Sequence, residues 1–406
     1  MNRNQIFTTI EFIDDLIRMS IGEYYNEKFY IFDTFKCRCN GLEASNIVDV
    51  EEVKRTINEL INLIKEKTEI IVEELILCLP SEHLIINDIT STAPVTGKNS
   101  LISSYDINEA FKVASKIRHN EDETVINIVP IEYQIDDGQK MDFAPIRYKS
   151  TTFKTLFNVF MLPTNVFDSY INAISECNLK IDKYYLDADC LYAGIFDEDD
   201  ISSSVLNLDK YSCSLMLYKK GKLLNKISIP FGTSTIEDEV IKELQIREEK
   251  TLKNMIYNVG ACVPSENKYL SVCKNSENRY ISEQKLNEVI ERSTKAILNN
   301  LISNARNVIE MRDLDVYITG YGANINGIDK LLNSLCECNA TIYVSNVLGL
   351  NNSSYCETIG LIKLNYKKIS QNKYMNLQNN NYNDIMVNKE KNSKFDKFIL
   401  DEEELD

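Results

Sequence analysis

The feature that most restricts the fold of this chain is a pattern that occurs twice along the sequence. In each occurrence, short runs of alternating apolar and polar residues predict neighbouring β-strands, and a helix with an apolar stripe follows them. The first occurrence covers residues 7–64, with a further strand at 73–80, and the second covers residues 206–244. A duplicated unit of this kind predicts an α/β protein with two similar halves and a cleft between them.

Side chains that cap helices support these assignments. Asp49 and Glu52 form a capping pair before the first helix, and Ser234 and Glu237 form a capping box before the helix of the second half. Asp106 is expected to cap a third helix, with Ile107 among its inward residues. Each helix is therefore predicted to begin at a polar side chain that accepts hydrogen bonds from its first turn.

The first half is interrupted by a segment with a β-α-β-β pattern of its own, in which the last two strands are expected at 144–153 and 155–162. Residues 367–394 are rich in Asn and Lys and lack periodicity, which is typical of a disordered linker. The predicted parts are the first half (1–83, 163–200 and 340–366), the inserted subdomain (84–162), the second half (201–339, with a long-helix subdomain at 245–312), and a linker with a short C-terminal motif (367–406).

The overall charge argues against several classes of partner. With 61 acidic and 45 basic side chains, the formal net charge is -16, which repels nucleic acid and anionic lipid. The N-terminal segment carries acidic residues where a signal peptide has an apolar core, and no apolar run is long enough to span a membrane. The 11 cysteines are scattered and there are only 2 histidines, so no metal site is expected. A cytoplasmic protein is the expectation.

Five segments, in order over residues 9–366, resemble the bacterial cell-division protein FtsA, a family of the actin and heat-shock-chaperone superfamily. Within the insert, "VINIVPIEYQIDDGQ" and "APIRYKSTTFKTL" are similar to that family, and the second keeps Arg147. The other three are "AISECNLKIDKYYLDADCLYAGIF", "DVYITGYGANINGIDKLL" and "YCETIGLIKLNY". The resemblance implies an actin-like (ribonuclease-H-like) duplicated fold with the inserted subdomain of FtsA.

The same resemblance indicates two phosphate-binding turns that have lost their glycines. Glycine is used in such turns because a backbone without Cβ can approach phosphate and donate its N–H groups. Here Asp14 and Asp209 bring negative charge instead, and one carboxylate beside one phosphate charge costs roughly 4 kcal/mol at an effective dielectric near 20. We therefore expect no useful ATP hydrolysis and no cofactor, with ATP and magnesium as the disfavoured alternative. The altered positions are Glu11, Asp14, Leu16, Asn207, Asp209 and Ser212.

Two glycines of a third segment are retained. Gly320 and Gly322 stand in "TGYGA", a turn that in the FtsA family contacts the adenine side of the nucleotide. The simpler interpretation, which we favour, is a tight turn between a strand and a helix.

The resemblance also implies partners. FtsA-like proteins bind the C-terminal tail of FtsZ through the long-helix subdomain, form head-to-tail polymers, and hold the division ring at the inner face of the cytoplasmic membrane. Arg292, Lys295 and Arg306 on the long helix are candidates for binding an acidic peptide, although such residues are more often a solvated face. The C-terminal motif has an apolar stripe beside acidic residues, which suits weak or indirect membrane contact or a protein partner. Its apolar residues are Phe395, Phe398, Ile399 and Leu405.

These observations predict an FtsA-like scaffold of the divisome that works without catalysis. Two other functions remain open: an actin-like ATPase with diverged turns, and an assembly adaptor like the PilM proteins of pilus assembly. The insert pattern "VPIEYQIDDG" favours cell division over pilus assembly.

Overall fold

The computed structural model describes residues 5–379 except 27, 117–119, 121, 137, 199–200, 265–269 and 310. The backbone divides into two compact units. The larger contains residues up to 82 together with 172–365, and the smaller contains residues 83–171 and the described residues after 365. Within the described range, no helix combines the length and apolar character that crossing a membrane requires.

The first half of the larger unit contains a mixed sheet with a helix packed on one face. The amphipathic helix buries Val53, Ile57, Leu60 and Ile64, as its apolar stripe predicts. The elements of this half are β1 Gln5–Ile13, β2 Leu16–Tyr25, β3 Lys28–Arg38, β4 Leu42–Glu43, β5 Asn46–Ile47, α1 Val50–Thr68 and β6 Glu74–Leu79.

The inserted unit forms its own small sheet and core. Its helix packs on the sheet through Phe111, whose ring centroid lies 4.8 Å from that of Phe157. The strand expected at 144–153 does not form as a separate element, because Pro145 lacks an N–H group and Arg147 has a left-handed φ of 66°. Thr152 and Phe153 belong instead to the strand that follows. The elements from the insert back to the first half are β7 Ile85–Pro94, α2 Ser104–Ser115, β8 Glu123–Ile135, β9 Lys140–Met141, β10 Thr152–Pro163, α3 Thr164–Ser175, β11 Lys180–Leu186 and α4 Asp187–Ile195.

The second half repeats the arrangement of the first around a larger apolar core. Two helices supply much of that core, with Val240 and Leu298 fully buried. The elements of this half are β12 Ser203–Leu208, β13 Cys213–Lys219, β14 Lys222–Ile229, α5 Thr233–Leu244, α6 Glu249–Asn254, β15 Ser271–Lys274, β16 Tyr280–Ser282, α7 Glu283–Ala305, β17 Asp315–Thr319, α8 Ile328–Cys336 and β18 Asn339–Ile342; α9 Cys356–Asn379 follows.

The two large sheets have the same topology. The first has the order β11-β6-β1-β2-β3 and the second β14-β13-β12-β17-β18, each with 5 strands. In both, the central strand pairs antiparallel with the strand that follows it and parallel with the strand on its other side. The duplicated actin-like architecture expected from the sequence is therefore present. Because β1 and β12 are equivalent, the turns that follow them are equivalent too.

The boundary drawn at residue 340 is wrong. Residues 340–366 were assigned to the first half, but β18 pairs parallel with β17 and completes the second sheet. The later part of that segment does contact the first half, since the Oη of Tyr24 donates to the carbonyl oxygen of Ile362 at 3.2 Å. The chain therefore returns to the first half only after β18.

The predicted helix caps have three different outcomes. Asp49 caps α1 as expected, accepting from the N–H groups of Glu51 and Glu52. The cap of α2 is Ser103, and Asp106 is its reciprocal partner in the third helical position, with its Oδ2 accepting from the Ser103 N–H at 2.9 Å. The expected capping box of α5 is absent: its N-cap is Gly232, without a side-chain hydrogen bond.

The linker prediction is partly wrong. Residues 367–379 continue α9, although the sequence suggested disorder from 367 onward. The sequence there contains neither Gly nor Pro, and extending an existing helix costs much less than nucleating one. The rest of the linker and the C-terminal motif with Phe395, Phe398, Ile399 and Leu405 lie outside the described residues.

Two glycines allow α4 and α9 to cross closely. A Cβ on Gly360 would lie 1.7 Å from the carbonyl oxygen of Cys190, and one on Gly194 would lie 2.3 Å from that of Cys356. These are backbone atoms, so no side-chain rotation can relieve the contact. This crossing places the first turn of α9 beside the cleft.

Replacing Gly360 with Ala should destabilise the protein by roughly 1–3 kcal/mol because the added methyl group forces the two helices apart. In an unhindered helix, replacing Gly with Ala stabilises the folded protein by about 0.5–1 kcal/mol. The sign of the change in unfolding free energy therefore shows whether the two helices cross as closely as described. Urea unfolding of the purified variant measures it. Gly349→Ala, at a glycine with nothing within 4 Å and a φ of 85°, is the control for backbone strain alone. A Gly360→Ala variant at least as stable as the parent would contradict the close crossing.

Candidate functional site

The turn after β1 is held rigidly by the segment that follows β3. Asp14 has a left-handed φ of 56°. Its N–H group donates to the Oγ of Ser45 at 2.8 Å, and its carbonyl oxygen accepts from the N–H group of Ser45 at 2.8 Å. The carbonyl oxygen of Asp15 accepts from the N–H group of Cys39, also at 2.8 Å. The backbone of this turn is thus fixed on both sides.

The turn after β12 is held by the N-terminus of α5. The N–H group of Thr233 donates to the carbonyl oxygen of Asp209 at 2.9 Å, and that of Ser234 donates to the carbonyl oxygen of Lys210 at 2.8 Å. These bonds satisfy the first turn of the helix, which explains why the expected side-chain cap is not formed. Within the turn, the Asp209 N–H group donates to the carbonyl oxygen of Ser212 at 3.0 Å.

The carboxylate of Asp14 bridges the two turns. One of its oxygens accepts from the N–H group of Lys210 at 3.0 Å and the other from the N–H group of Tyr211 at 3.2 Å. Lys210 also pairs through its Nζ with the carboxylate of Asp15 at 2.7 Å. Asp14 is only 8% exposed, and this burial raises its pKa to about 6 in spite of the two N–H donors, which lower it. The Asp14 carboxylate, which the sequence analysis placed in one of the two altered phosphate-binding turns, is therefore bound to the backbone of the other turn.

A buried ion pair lies directly behind the first turn. The Nε of Arg18 donates to the Oε2 of Glu11 at 2.5 Å, and the two residues are cross-strand partners in the β1–β2 hairpin. Thr358 donates its Oγ1–H to the same carboxylate oxygen at 3.0 Å, and Arg18 donates through Nη1 to the carbonyl oxygen of Ser354 at 2.9 Å. The guanidinium also lies 4.8 Å from the ring centroid of Tyr355. The start of α9 is thereby joined to the first sheet.

Arg18 was not identified from the sequence, although a signal for it exists. Glu11 is the one charged residue of β1, and Arg18 stands among apolar residues at the start of β2, where the short hairpin sets their register. A charge in a buried strand needs a partner, and the opposite strand offers one.

A second cluster of polar side chains surrounds Asn207 at the end of β12. The Nδ2 of Asn207 donates to the Oδ2 of Asp209 at 2.6 Å and contacts the Oε1 of Glu357 at 3.4 Å. Burial raises the pKa of Asp209 to about 8, and the nearby Asp14 carboxylate adds to this increase. Burial likewise raises the pKa of Glu357 well above its ordinary value. Both carboxyl groups therefore favour the protonated form near neutral pH, which removes the repulsion between them.

Little space remains between the turns. The cavity beside Asn207 has a volume of about 30 Å³, and the one that Leu16 and Gly320 line has about 70 Å³. Pockets for small ligands usually measure roughly 300–1,000 Å³. The N–H groups of Lys210 and Tyr211, which would bind a phosphate, already bind Asp14. The triphosphate of ATP does not fit these turns as they are arranged here.

Metal ligands are not gathered in the part of the chain that the structure describes. Within that part, no group of 3 or more His, Cys, Asp or Glu side chains is arranged to hold a metal ion.

The two retained glycines pack against the β12 turn. Gly320 has a φ of 81°, and a Cβ there would lie 2.5 Å from the Oδ1 of Asn207. A Cβ on Gly322 would lie 2.3 Å from the side chain of Leu208. Close packing between this turn and β12 therefore accounts for both glycines. Next to it, an open cavity of about 630 Å³ lies between α6 and the turn, with Tyr257 and Tyr321 on its wall.

The three candidate cations of the long helix have different surroundings. Arg292 pairs with Glu243 and lies 3.8 Å from the Oε2 of Glu239, so its charge is already used within the protein. Lys295 is exposed. Arg306 lines a groove of about 430 Å³ at the C-terminal end of α7, and the other two candidates do not line it.

This groove combines positive charge with an apolar floor. Arg312, which the sequence analysis did not select, joins Arg306 there and pairs with Glu337 at 3.0 Å. We call this surface the α7–α8 groove; its lining residues are Ile302, Arg306, Ile309, Met311, Arg312, Leu335, Cys336 and Glu337.

Replacing Asp209 with Asn should alter the pH dependence of stability. The folded state holds a proton on Asp209 up to about pH 8, whereas the unfolded chain releases this proton near the ordinary pKa of 3.8. The stability that protonated Asp209 gives the folded state is therefore lost as the pH rises from the lower to the higher of these two values. Asn cannot ionise and still accepts from Asn207. The variant should be more stable than the parent above about pH 8, by on the order of 2 kcal/mol, and similar near about pH 4.

Chemical denaturation at both pH values measures this effect. Asp88→Asn, which removes the same charge from an exposed strand position, is the control. Equal changes in the two variants would show that net charge, and not burial of Asp209, sets the pH dependence.

Comparison with known proteins agrees with this architecture, although no family model matches the chain. The FtsA of Bacillus subtilis is 18% identical over 373 residues, which cover 89% of this chain and 84% of that protein. The FtsA of Enterococcus faecalis is 19% identical over 363 residues, which cover 86% of this chain and 80% of that protein.

Solved structures show the same fold. A chain of the PilM–PilN type IV pilus biogenesis complex superposes with a TM-score of 0.59 at 12% identity, covering 89% of this chain and 98% of that one. MreB5 of Spiroplasma citri bound to ADP superposes with a TM-score of 0.55 at 13% identity, covering 91% of this chain and 98% of that one. The sequence similarity covers both halves and the duplicated sheets agree with it, so the chain is a divergent FtsA-like protein with the actin-like fold.

Proposed function

We propose that this protein is a cell-division scaffold that binds FtsZ and helps to assemble or anchor the division ring at the inner face of the cytoplasmic membrane. The observation that carries the proposal is the similarity to FtsA over 89% of the chain, which includes both actin-like halves. The unit inserted into the first half, whose sequence resembles FtsA, supports it. Head-to-tail self-association through this insert belongs to the same proposal.

The α7–α8 groove is the proposed contact for the FtsZ tail. Its apolar floor suits the side chains of an extended or helical peptide, and Arg306 suits an acidic residue or a terminal carboxylate. The ion pairs of Arg292 make it a weaker candidate than the sequence suggested. Lys295 stands on the same helix and does not line the groove, so it is a natural control.

We further propose that the scaffold acts by contact and does not hydrolyse ATP. The Asp14 carboxylate on the second turn and the small cavities around Asn207 support this. The open cavity beside Tyr321 has room for a nucleoside, but a nucleoside bound there would lack a phosphate site for catalysis.

The C-terminal motif is proposed to bind a protein partner in preference to lipid. Its acidic end, Asp401 to Glu404 with Asp406, repels anionic lipid by about 1 kcal/mol per charge near the surface. Membrane contact of the scaffold would then be weak or indirect.

Two alternatives are favoured by specific comparisons. The TM-score of 0.59 with the PilM–PilN complex supports an assembly adaptor of the PilM kind. The fold shared with the ADP-bound MreB5 supports an actin-like ATPase. Measurable ATP turnover by the purified protein would establish the second.

Arg306→Glu should weaken binding of a synthetic peptide of the FtsZ C-terminal tail about tenfold or more, because it places a negative charge beside an acidic ligand. Fluorescence anisotropy of the labelled peptide measures this. Lys295→Glu makes the same charge change on the same helix outside the groove and should have little effect. Equal losses in both variants would contradict the groove as the binding site.

A fluorescent fusion in the native cell should form bands at mid-cell, because the scaffold is recruited to the division ring. The same fusion without residues 394–406 separates the role of the C-terminal motif from recruitment through FtsZ. A diffuse signal from the full-length fusion would count against the division role.

A further inference from the structure

The contact between Asp14 and the second turn resembles the binding of an anion. Backbone N–H groups on successive residues make a concave donor site that favours negatively charged oxygens. The N–H groups of Lys210 and Tyr211 are such a pair, and each donates to a different oxygen of the same carboxylate, at 3.0 Å and 3.2 Å. The ligand of this site is a side chain that lies 196 residues away in the sequence.

We propose that Asp14 is a built-in anionic ligand that occupies the oxyanion site of the second turn and fastens the two halves together without a bound nucleotide. This inference rests on the proposed function in one respect, namely that the protein works without ATP. We call the carboxylate of Asp14 with the N–H groups of Lys210 and Tyr211 the Asp14 latch.

The ligand is presented by a rigid turn. The N–H and carbonyl groups of Asp14 both bond to Ser45 at 2.8 Å, and its φ of 56° is one that Asp adopts more readily than most residues. The carboxylate is therefore directed toward the opposite half without a large loss of side-chain freedom.

The donor site is prepared by the neighbouring helix. The carbonyl oxygens of Asp209 and Lys210 accept from the first N–H groups of α5, which polarises the peptide groups of the turn and strengthens their own N–H donors. A Cβ on Gly232 would lie 2.3 Å from the carbonyl oxygen of Asp209, so the helix approaches the turn as closely as its backbone allows.

A second contact at the rim reinforces the first. The Nζ of Lys210 bonds to Asp15 at 2.7 Å and lies 4.6 Å from the ring centroid of Tyr211. This pair is partly exposed, whereas Asp14 is buried. Asp14 should therefore contribute more to fastening the halves than the rim pair does.

Hydrogen exchange of the full-length protein tests the latch. In Asp14→Ala, the amides of Lys210 and Tyr211 should exchange at least about tenfold faster than in the parent, because both lose their acceptor. Asp15→Ala breaks the rim pair on the same turn and should leave these two amides protected. Inorganic phosphate at tens of millimolar should restore protection in Asp14→Ala, because it can enter the vacated oxyanion site.

A second variant keeps the test decisive if the first folds poorly. Asp14→Asn has the same shape with one acceptor oxygen, so one of the two amides should lose protection, and phosphate should not restore it because the site is still filled. Unchanged exchange in both Asp14 variants, equal effects of Asp15→Ala, or no protection by phosphate in a folded Asp14→Ala protein would each overturn the latch.

Calorimetry with ATP on the unaltered protein separates this result from the proposed function. Binding of ATP would overturn the nucleotide-independent scaffold, whereas the exchange data would still decide whether Asp14 occupies the site. Failure to bind the FtsZ peptide would leave the exchange result unaffected.

Discussion

The constraint on which the rest of the cleft depends is the burial of several carboxyl groups where the two central strands end. An isolated buried carboxylate is strongly unfavourable, so each one must be neutralised or bonded. Glu11 is paired with Arg18, Asp14 is bonded to two backbone N–H groups, and Asp209 and Glu357 favour protonation. These interactions involve residues of the first sheet, of the turn after β12 and of the start of α9. The cleft is therefore held closed from several sides.

Closure of the cleft gives the proposed scaffold a physical basis. A body whose halves are fastened by its own side chains presents the same surfaces whether or not a nucleotide is present. The α7–α8 groove lies on α7, whose buried face belongs to the core of the second half. Its shape therefore depends on packing within that half, and a peptide could be bound there without any change at the turns.

The sequence predicted the local features well because they depend on neighbouring residues. The neighbouring strands, the apolar stripe of α1 and its Asp49 cap follow from alternation and capping rules, and the duplication followed from finding the same order of elements twice. What it missed depends on contacts distant in sequence. The Asp14 latch joins turns 196 residues apart, and the α5 cap is supplied by the β12 turn. The assignment of β18 required knowing that it pairs with β17.

The pairing of Glu11 with Arg18 has a consequence for how this sequence can evolve. Loss of either partner leaves a buried charge in a strand with no water to solvate it, whereas joint replacement by apolar residues of similar volume is tolerated in comparable ion pairs. The two positions are therefore coupled. Among close homologues they should covary, and an intermediate with only one of the two changes should be rare.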